Sequence, residues 1–245
     1  LILEELIWPE LKQVLPEIEL AVVPVGVTRF REGLYRIDPY IPRADPIKMH
    51  TLTSLVDYIK AEVDDMAERM IVEVRSPEEV AMYSQLDSMR VREILAVVRA
   101  RVPEFPFDKF LDQERFCINL QSKFIDDTAT DRALLLKFAG TVEAGTVAEY
   151  GDDGVTQKAT VKTGIASKGD AIVPNPVKHR PYRTFLEVEQ PVSEFIFRMK
   201  QDKYDGISCA IFEADGGAWQ MAATKSIKEY LQFELSDFPQ FTVIS

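Results

Sequence analysis

Cysteine and histidine are nearly absent from this chain of 245 residues, which has two of each. Cys117 and Cys209 both sit in apolar settings (RFCINL and ISCAIF), so neither a disulfide framework nor a four-ligand zinc site is within reach. They are expected as buried thiols of a reducing cytoplasm. His50 and His179 are the only imidazoles, and no G-x-S-x-G, G-x-G-x-x-G or P-loop occurs, so nucleophilic catalysis and phosphate cradling lack their usual signatures. Long apolar runs are missing too. The uncharged apolar stretches fall far short of the ~18 residues that cross a bilayer, so no membrane partner is expected. The opening LILEELIWPELKQVL carries Glu4, Glu5 and Glu10 without a basic stretch, which is not a secretory pattern. No residue pattern asks for a cofactor.

What is present is the composition of a globular protein: 46% hydrophobic, 28% charged and 10% aromatic, against the low hydrophobicity of disordered chains. The length suits one large or two small domains. A net charge of −11 repels phosphate at long range and disfavours indiscriminate adsorption to DNA or to anionic lipid. A local basic patch is still compatible with that field.

Hydrophobic periodicity divides the chain. Residues 1–15 read as an amphipathic helix around Pro9, LAVVPVG as a strand, and Asp38 to Pro46, with three prolines, as an extended arm. HTLTSLVDYIKAEVDDMAERM predicts a helix opened by a Ser54–Asp57 capping box, with Leu55, Val56, Ile59 and Val63 on its apolar face. MIVEVR and VAMYS around Ser76-Pro77-Glu78-Glu79 predict a hairpin. From Ser88 to Arg101, Val91, Ile94, Leu95 and Val98 recur at helical spacing, with Arg90, Arg92, Arg99 and Arg101 off that stripe. Helices follow around FDKFLDQERFCINLQSKF and from Thr128, with Asp131 completing a capping box. After Ala139 the period becomes two. TVEAGTVAEYG and VTQKATVKTGIA flank the turn Asp152-Asp153-Gly154, and YRTFLEVEQ, SEFIFRMK and GISCAIFEA are further strands. Asp215-Gly216-Gly217 opens a last helix, AWQMAATKSIKEYLQFEL, before a terminal strand FTVIS.

The steepest feature is electrostatic. Thr156 to Arg183 holds six cations and one anion, whereas Phe124 to Asp153 holds seven anions and two cations. Lys158, Lys162, Lys178, Arg180 and Arg183, with Tyr182 for stacking, form a candidate strip for single-stranded nucleic acid, phosphates meeting cations and bases meeting rings. The same alternation fits the wet face or guarded edge of a sheet, or a contact with the acidic segment of a second subunit. A second candidate is a divalent-metal site from Glu187, Glu189, Glu213 and Asp215, since phosphoryl chemistry needs converging carboxylates. Asp215 is equally explained by the turn it opens. The aromatic-rich end, Trp219 to Phe241, fits either a subunit interface or core packing.

HTLTSLVDYI, YGDDGVTQKATVKTGIA, VPNPVKHRPYRTFLEVEQPVSEFIFRM and FEADGGAW resemble a phage and prophage protein family of unknown function, akin to the YfdQ-like family. The likeness runs from about Leu20 to the final helix. It implies a phage origin and the bacterial cytoplasm, and it assigns no catalytic residue.

The expected fold is α+β, with N-terminal helices and a hairpin followed by a C-terminal antiparallel sheet and a packed final helix. Its parts are residues 1–46, 47–139 and 140–245. The expected function is that of a self-associating, non-enzymatic phage accessory protein that binds a partner: single-stranded DNA, or a host or phage protein. The alternatives are a metal-dependent enzyme acting on nucleic acid or nucleotides, and an acidic decoy for a host factor that uses Asp126 to Asp153.

Overall fold

The computed structural model describes residues 21–23, 27–30, 33–36, 43–66, 68–87, 89–148, 158–162, 168–172, 175–202 and 206–245, giving only the backbone for residues 21–36, 143–172 and 202. The helix expected over residues 1–15 and the Asp152-Gly154 turn lie outside these residues. The chain forms two compact units, residues 1–44 and 45–245. In the first, β1 (Ala21–Val23), β2 (Val27–Phe30) and β3 (Gly33–Arg36) make an antiparallel meander.

The second unit is α+β, with four helices among the described residues. One half is a five-stranded sheet ordered β15-β5-β6-β7-β4, from β4 (Ile47–Met49), β5 (Met70–Ser76), β6 (Glu79–Tyr83), β7 (Ile94–Arg99) and β15 (Phe241–Ile244). The expected β5–β6 hairpin is present. Strict alternation in β5 turns Met70, Val72 and Val74 inward. They join Val80, Met82, Ala96 and Val98 beneath α1 (Leu52–Lys60) and α4 (Ala218–Glu234). Two pairings are parallel, β4 with β7 and β15 with β5. Parallel neighbours need a crossover rather than a tight turn, and α1 and α4 lie in the connections that lead into β5 and β15.

The apolar face of α1 is Leu52, Leu55, Val56 and Ile59. The helix begins one turn earlier than Ser54 because Thr51 is its N-cap, accepting from the Ser54 N–H at 3.1 Å. It stops before Val63, which is 70% exposed, because Glu62 takes a left-handed φ of 49°. Thr51→Ala is expected to cost about 1 kcal/mol, measured as a lower urea midpoint at unchanged m-value.

The segment from Ser88 to Arg101 corrects a helical expectation. It holds strand β7, whose Ala96, Val97 and Val98 pair with Met82, Ala81 and Val80. Side chains of alternating burial then replace the helical stripe.

The other half is a four-stranded sheet ordered β12-β13-β14-β8, from β8 (Leu111–Asp112), β12 (Val177–His179), β13 (Ser193–Asp202) and β14 (Gly206–Glu213). Its inner face, with Phe195, Phe197, Met199, Cys209 and Ile211, shares a second core with Phe116 and Leu120 of α2 (Gln113–Lys123) and Leu135 and Phe138 of α3 (Arg132–Thr141). The helix expected from Thr128 begins later, at Arg132, so Asp131 stands at its N-cap and not within a Thr128 capping box; its carboxylate caps nothing in that helix and accepts from the Lys178 N–H at 2.7 Å. Three further strands, β9 (Val142–Ala148), β10 (Lys158–Lys162) and β11 (Lys168–Ile172), form an antiparallel sheet ordered β11-β10-β9.

YRTFLEVEQ, expected as a strand, is a turn-rich connection. The Gln190 amide does the work of a neighbouring strand there, accepting from the N–H groups of Arg183 and Thr184 at 3.0 and 3.1 Å and donating to the Phe185 carbonyl at 2.9 Å. Phe185 and Val188 thereby enter the first core. Thr184 donates to the Pro77 carbonyl at 2.5 Å, so this connection fastens the hairpin to the four-stranded half.

Candidate functional site

Among the side chains that the structure describes, the strip inferred from sequence does not stand together. Arg183 is 6% exposed. Its guanidinium lies 2.6 Å from Glu213 and 4.0 Å from Asp215, donates to Ser193, and stacks 4.0 Å over the Trp219 ring. Burial pulls its pKa down to about 10 while Glu213 and Asp215 oppose that shift, so it stays charged at neutral pH. Arg180 is held between Asp127 at 3.0 Å and Glu189 at 3.1 Å. Tyr182 is half-buried and bonds its N–H to the Lys123 carbonyl at 3.0 Å. Arg180 and Arg183 are therefore neutralised within their own chain, contrary to the solvent-facing strip. Lys158 and Lys162 lie on β10, their side chains outside the described residues. Lys178 alone of the described group projects into solvent, its side chain 57% exposed.

The carboxylate quartet is likewise dispersed. Glu213 and Asp215 converge on Arg183, Glu189 on Arg180, and Glu187 accepts from the Thr53 N–H at 3.2 Å near the start of α1. Because residues 187 and 189 are not in a strand, period two does not place them on one face. Among the described residues no group of three or more His, Cys, Asp or Glu could hold a metal ion. The acidic segment is also occupied where described: Asp126 pairs with Arg132 at 2.9 Å and Asp127 with Arg180. Neither cysteine is activated, since burial raises the Cys117 pKa and pushes Cys209 up to about 12.

A different constellation stands on the outer face of the four-stranded sheet. Register opposes Lys178 to Glu194, Ile196 to Phe212, Arg198 to Ala210 and Lys200 to Ser208. Opposed residues of an antiparallel ladder share a side, so these eight lie away from Phe195, Phe197 and Met199. Phe110, beside β8, joins them: its ring is 6.1 Å from Phe212, and Lys200 Nζ sits 4.6 Å from its centroid. Lys200 is exposed, Ile196, Arg198 and Phe212 are half-buried, and Phe110 is 36% exposed. Among the described residues, Lys178, Arg198 and Lys200 thus share this side with two carboxylates, Glu194 and Asp112, the latter opposite Ser208 in the ladder, around an apolar centre. Lys178 and Glu194, 3.9 Å apart and 57% and 49% exposed, attract each other weakly because water screens them. Alternation in SEFIFRMK already sorts Glu194, Ile196, Arg198 and Lys200 to one side. The join to Lys178 and Phe110 needs strand order, which sequence did not supply.

Elsewhere an open groove of about 850 Å³ runs between α4 and the β5–β6 turn, lined by Arg75, Pro77, Met221, Lys225, Lys228 and Ser245 among others. Its cations have partners: Arg75 meets Glu79 at 2.7 Å, Lys225 meets Glu229 at 3.7 Å, and Lys228 meets the Ser245 hydroxyl at 3.4 Å. No helix among the described residues is long and apolar enough to cross a membrane. In comparisons with known proteins, no family model, curated protein or solved structure matches this chain.

Proposed function

We propose that this chain is a binding protein that takes single-stranded nucleic acid on the outer face of the β12-β13-β14-β8 sheet, as a phage or prophage accessory factor. The observation that carries the reading is the shared side of Lys178 and Lys200 next to the rings of Phe110 and Phe212. Cations that neutralise phosphates release counterions, and flat rings stack bases of any sequence. The chain's net charge of −11 makes such binding local and strongly salt-dependent. The phage setting rests on the sequence resemblance alone. Self-association belongs to the same proposal, supported by Met221 and Phe233, which are 78% and 76% exposed on α4. Light scattering tests it: a multiple of 27.9 kDa is expected, and a monomer would remove it.

The binding test is fluorescence anisotropy of a labelled oligo-dT strand across salt concentration. Two phosphates neutralised by Lys178 and Lys200 give a slope of log K against log salt of about −1.4 on a single strand. Lys178→Gln with Lys200→Gln is expected to bring it close to zero. No binding at low salt, or a slope unmoved by the double variant, would overturn the proposal.

A further inference from the structure

Resting on that reading, we infer that the sheet face has two separate tracks, a phosphate rail on β12 and β13 and a base platform on β14 and the Phe110 segment. The separation follows from register. Lys178 lies on β12 and Lys200 on β13, whereas the two rings lie at Phe212 of β14 and at Phe110 just before β8. Neighbouring strands are about 4.8 Å apart, so the backbone positions of the rings stand one to three strands to one side of those of the cations, and the Lys200 side chain reaches across to lie 4.6 Å from the Phe110 ring centroid. A strand whose backbone follows β13 turns its bases over Phe212 and Phe110.

The same geometry fixes the ligand class and length. Glu194, opposite Lys178, and Lys200 are six positions apart on β13, about 20 Å at ~3.3 Å per residue. At ~3.4 Å per stacked nucleotide that is about six nucleotides. A duplex keeps its bases paired inside and offers none to a flat ring, so only an unpaired strand engages both tracks. On binding, the Lys200 ammonium leaves the Phe110 ring for a phosphate and frees that ring to stack.

The experiment compares oligo-dT strands of roughly 3, 6 and 12 nucleotides with abasic strands of equal length and with duplex. Affinity is expected to rise steeply to about six nucleotides and then level. Phe110→Ala and Phe212→Leu are expected to weaken dT binding roughly tenfold and leave abasic binding unchanged. Lys200→Gln is expected to weaken both alike. Failure of every strand to bind would remove the proposed function itself. Binding of dT and abasic strands with equal affinity, or of duplex as tightly as single strand, would overturn the two-track arrangement while leaving a phosphate-binding face in place. Circular dichroism of each variant separates lost folding from lost stacking.

Discussion

Replacing Arg183 by methionine is expected to destabilise the protein by about 3 to 5 kcal/mol, the range for removing one partner of a buried ion pair. The cost is electrostatic more than steric. Methionine fills much of the space over Trp219, but Asp215, whose side chain is 13% exposed, and Glu213, at 36%, lose their countercharge. Asp215 keeps one donor, the Gly217 N–H at 3.0 Å, and Glu213 turns partly to water. Arg183 joins the 180–190 connection, β13, the end of β14 and the first turn of α4, so its loss loosens the place where the two sheets are tied. For a domain of this size the melting temperature is expected to fall by about 6 to 20 °C. Adding Glu213→Gln and Asp215→Asn should restore a large part of the loss, since no buried charge is then unpaired. A single variant that melts within a degree or two of the parent would show that the cluster contributes little.

Acidification is expected to remove about 3 kcal/mol of stability through His179 alone. Its side chain is 0% exposed, packed between Phe124 and Phe195 at ring distances of 5.6 and 5.8 Å. Neither ring nitrogen has a hydrogen-bond partner among the described residues. Burial lowers its pKa from 6.5 to about 4, with Asp131 opposing and Arg132 adding to the shift. The folded state therefore refuses a proton that the unfolded chain accepts. The stability is fully present above pH 6.5, falls by about 1.4 kcal/mol per unit as pH drops toward 4, and levels below that. His179→Leu keeps an apolar side chain in an apolar site and removes the titration. Urea unfolding from pH 7.5 to 4 should show a shallower acid slope in the variant, the carboxylates common to both cancelling in the difference. Identical slopes would mean that His179 binds its proton equally well folded and unfolded.

Much of the fold is legible because local signals and tertiary packing agree. The β5–β6 hairpin follows from alternation broken by Ser76-Pro77, and β13 and β14 from two runs of period two. The start of α4 follows from Asp215-Gly216-Gly217, where Gly216 and Gly217 adopt φ of 62° and 82° at low steric cost. Val91, Ile94, Leu95 and Val98 misled because a short apolar run satisfies the helical stripe and a strand equally. The ladder offered by β6 decides between them, and that partner is not local. YRTFLEVEQ misled for a related reason: its alternation is real, but the Gln190 side chain satisfies the backbone in place of a second strand. The candidate site was harder. Sequence displays Arg180 and Arg183 as a cluster of charge, and only the fold brings in Asp127, Glu213 and Asp215 to neutralise them. Conversely, Arg198, Lys200 and Phe212 lie in strands that alternation marks, and strand order is what joins them to Lys178 and Phe110.

The most direct test of the central claim is amide shift mapping by NMR on isotope-labelled protein titrated with a short oligo-dT strand at low salt. Shift changes gathered at Lys178, Ile196, Arg198, Lys200, Phe212 and Phe110 are the expected result. Changes gathered instead along the α4 groove or the five-stranded sheet, or no changes at saturating strand, would contradict it.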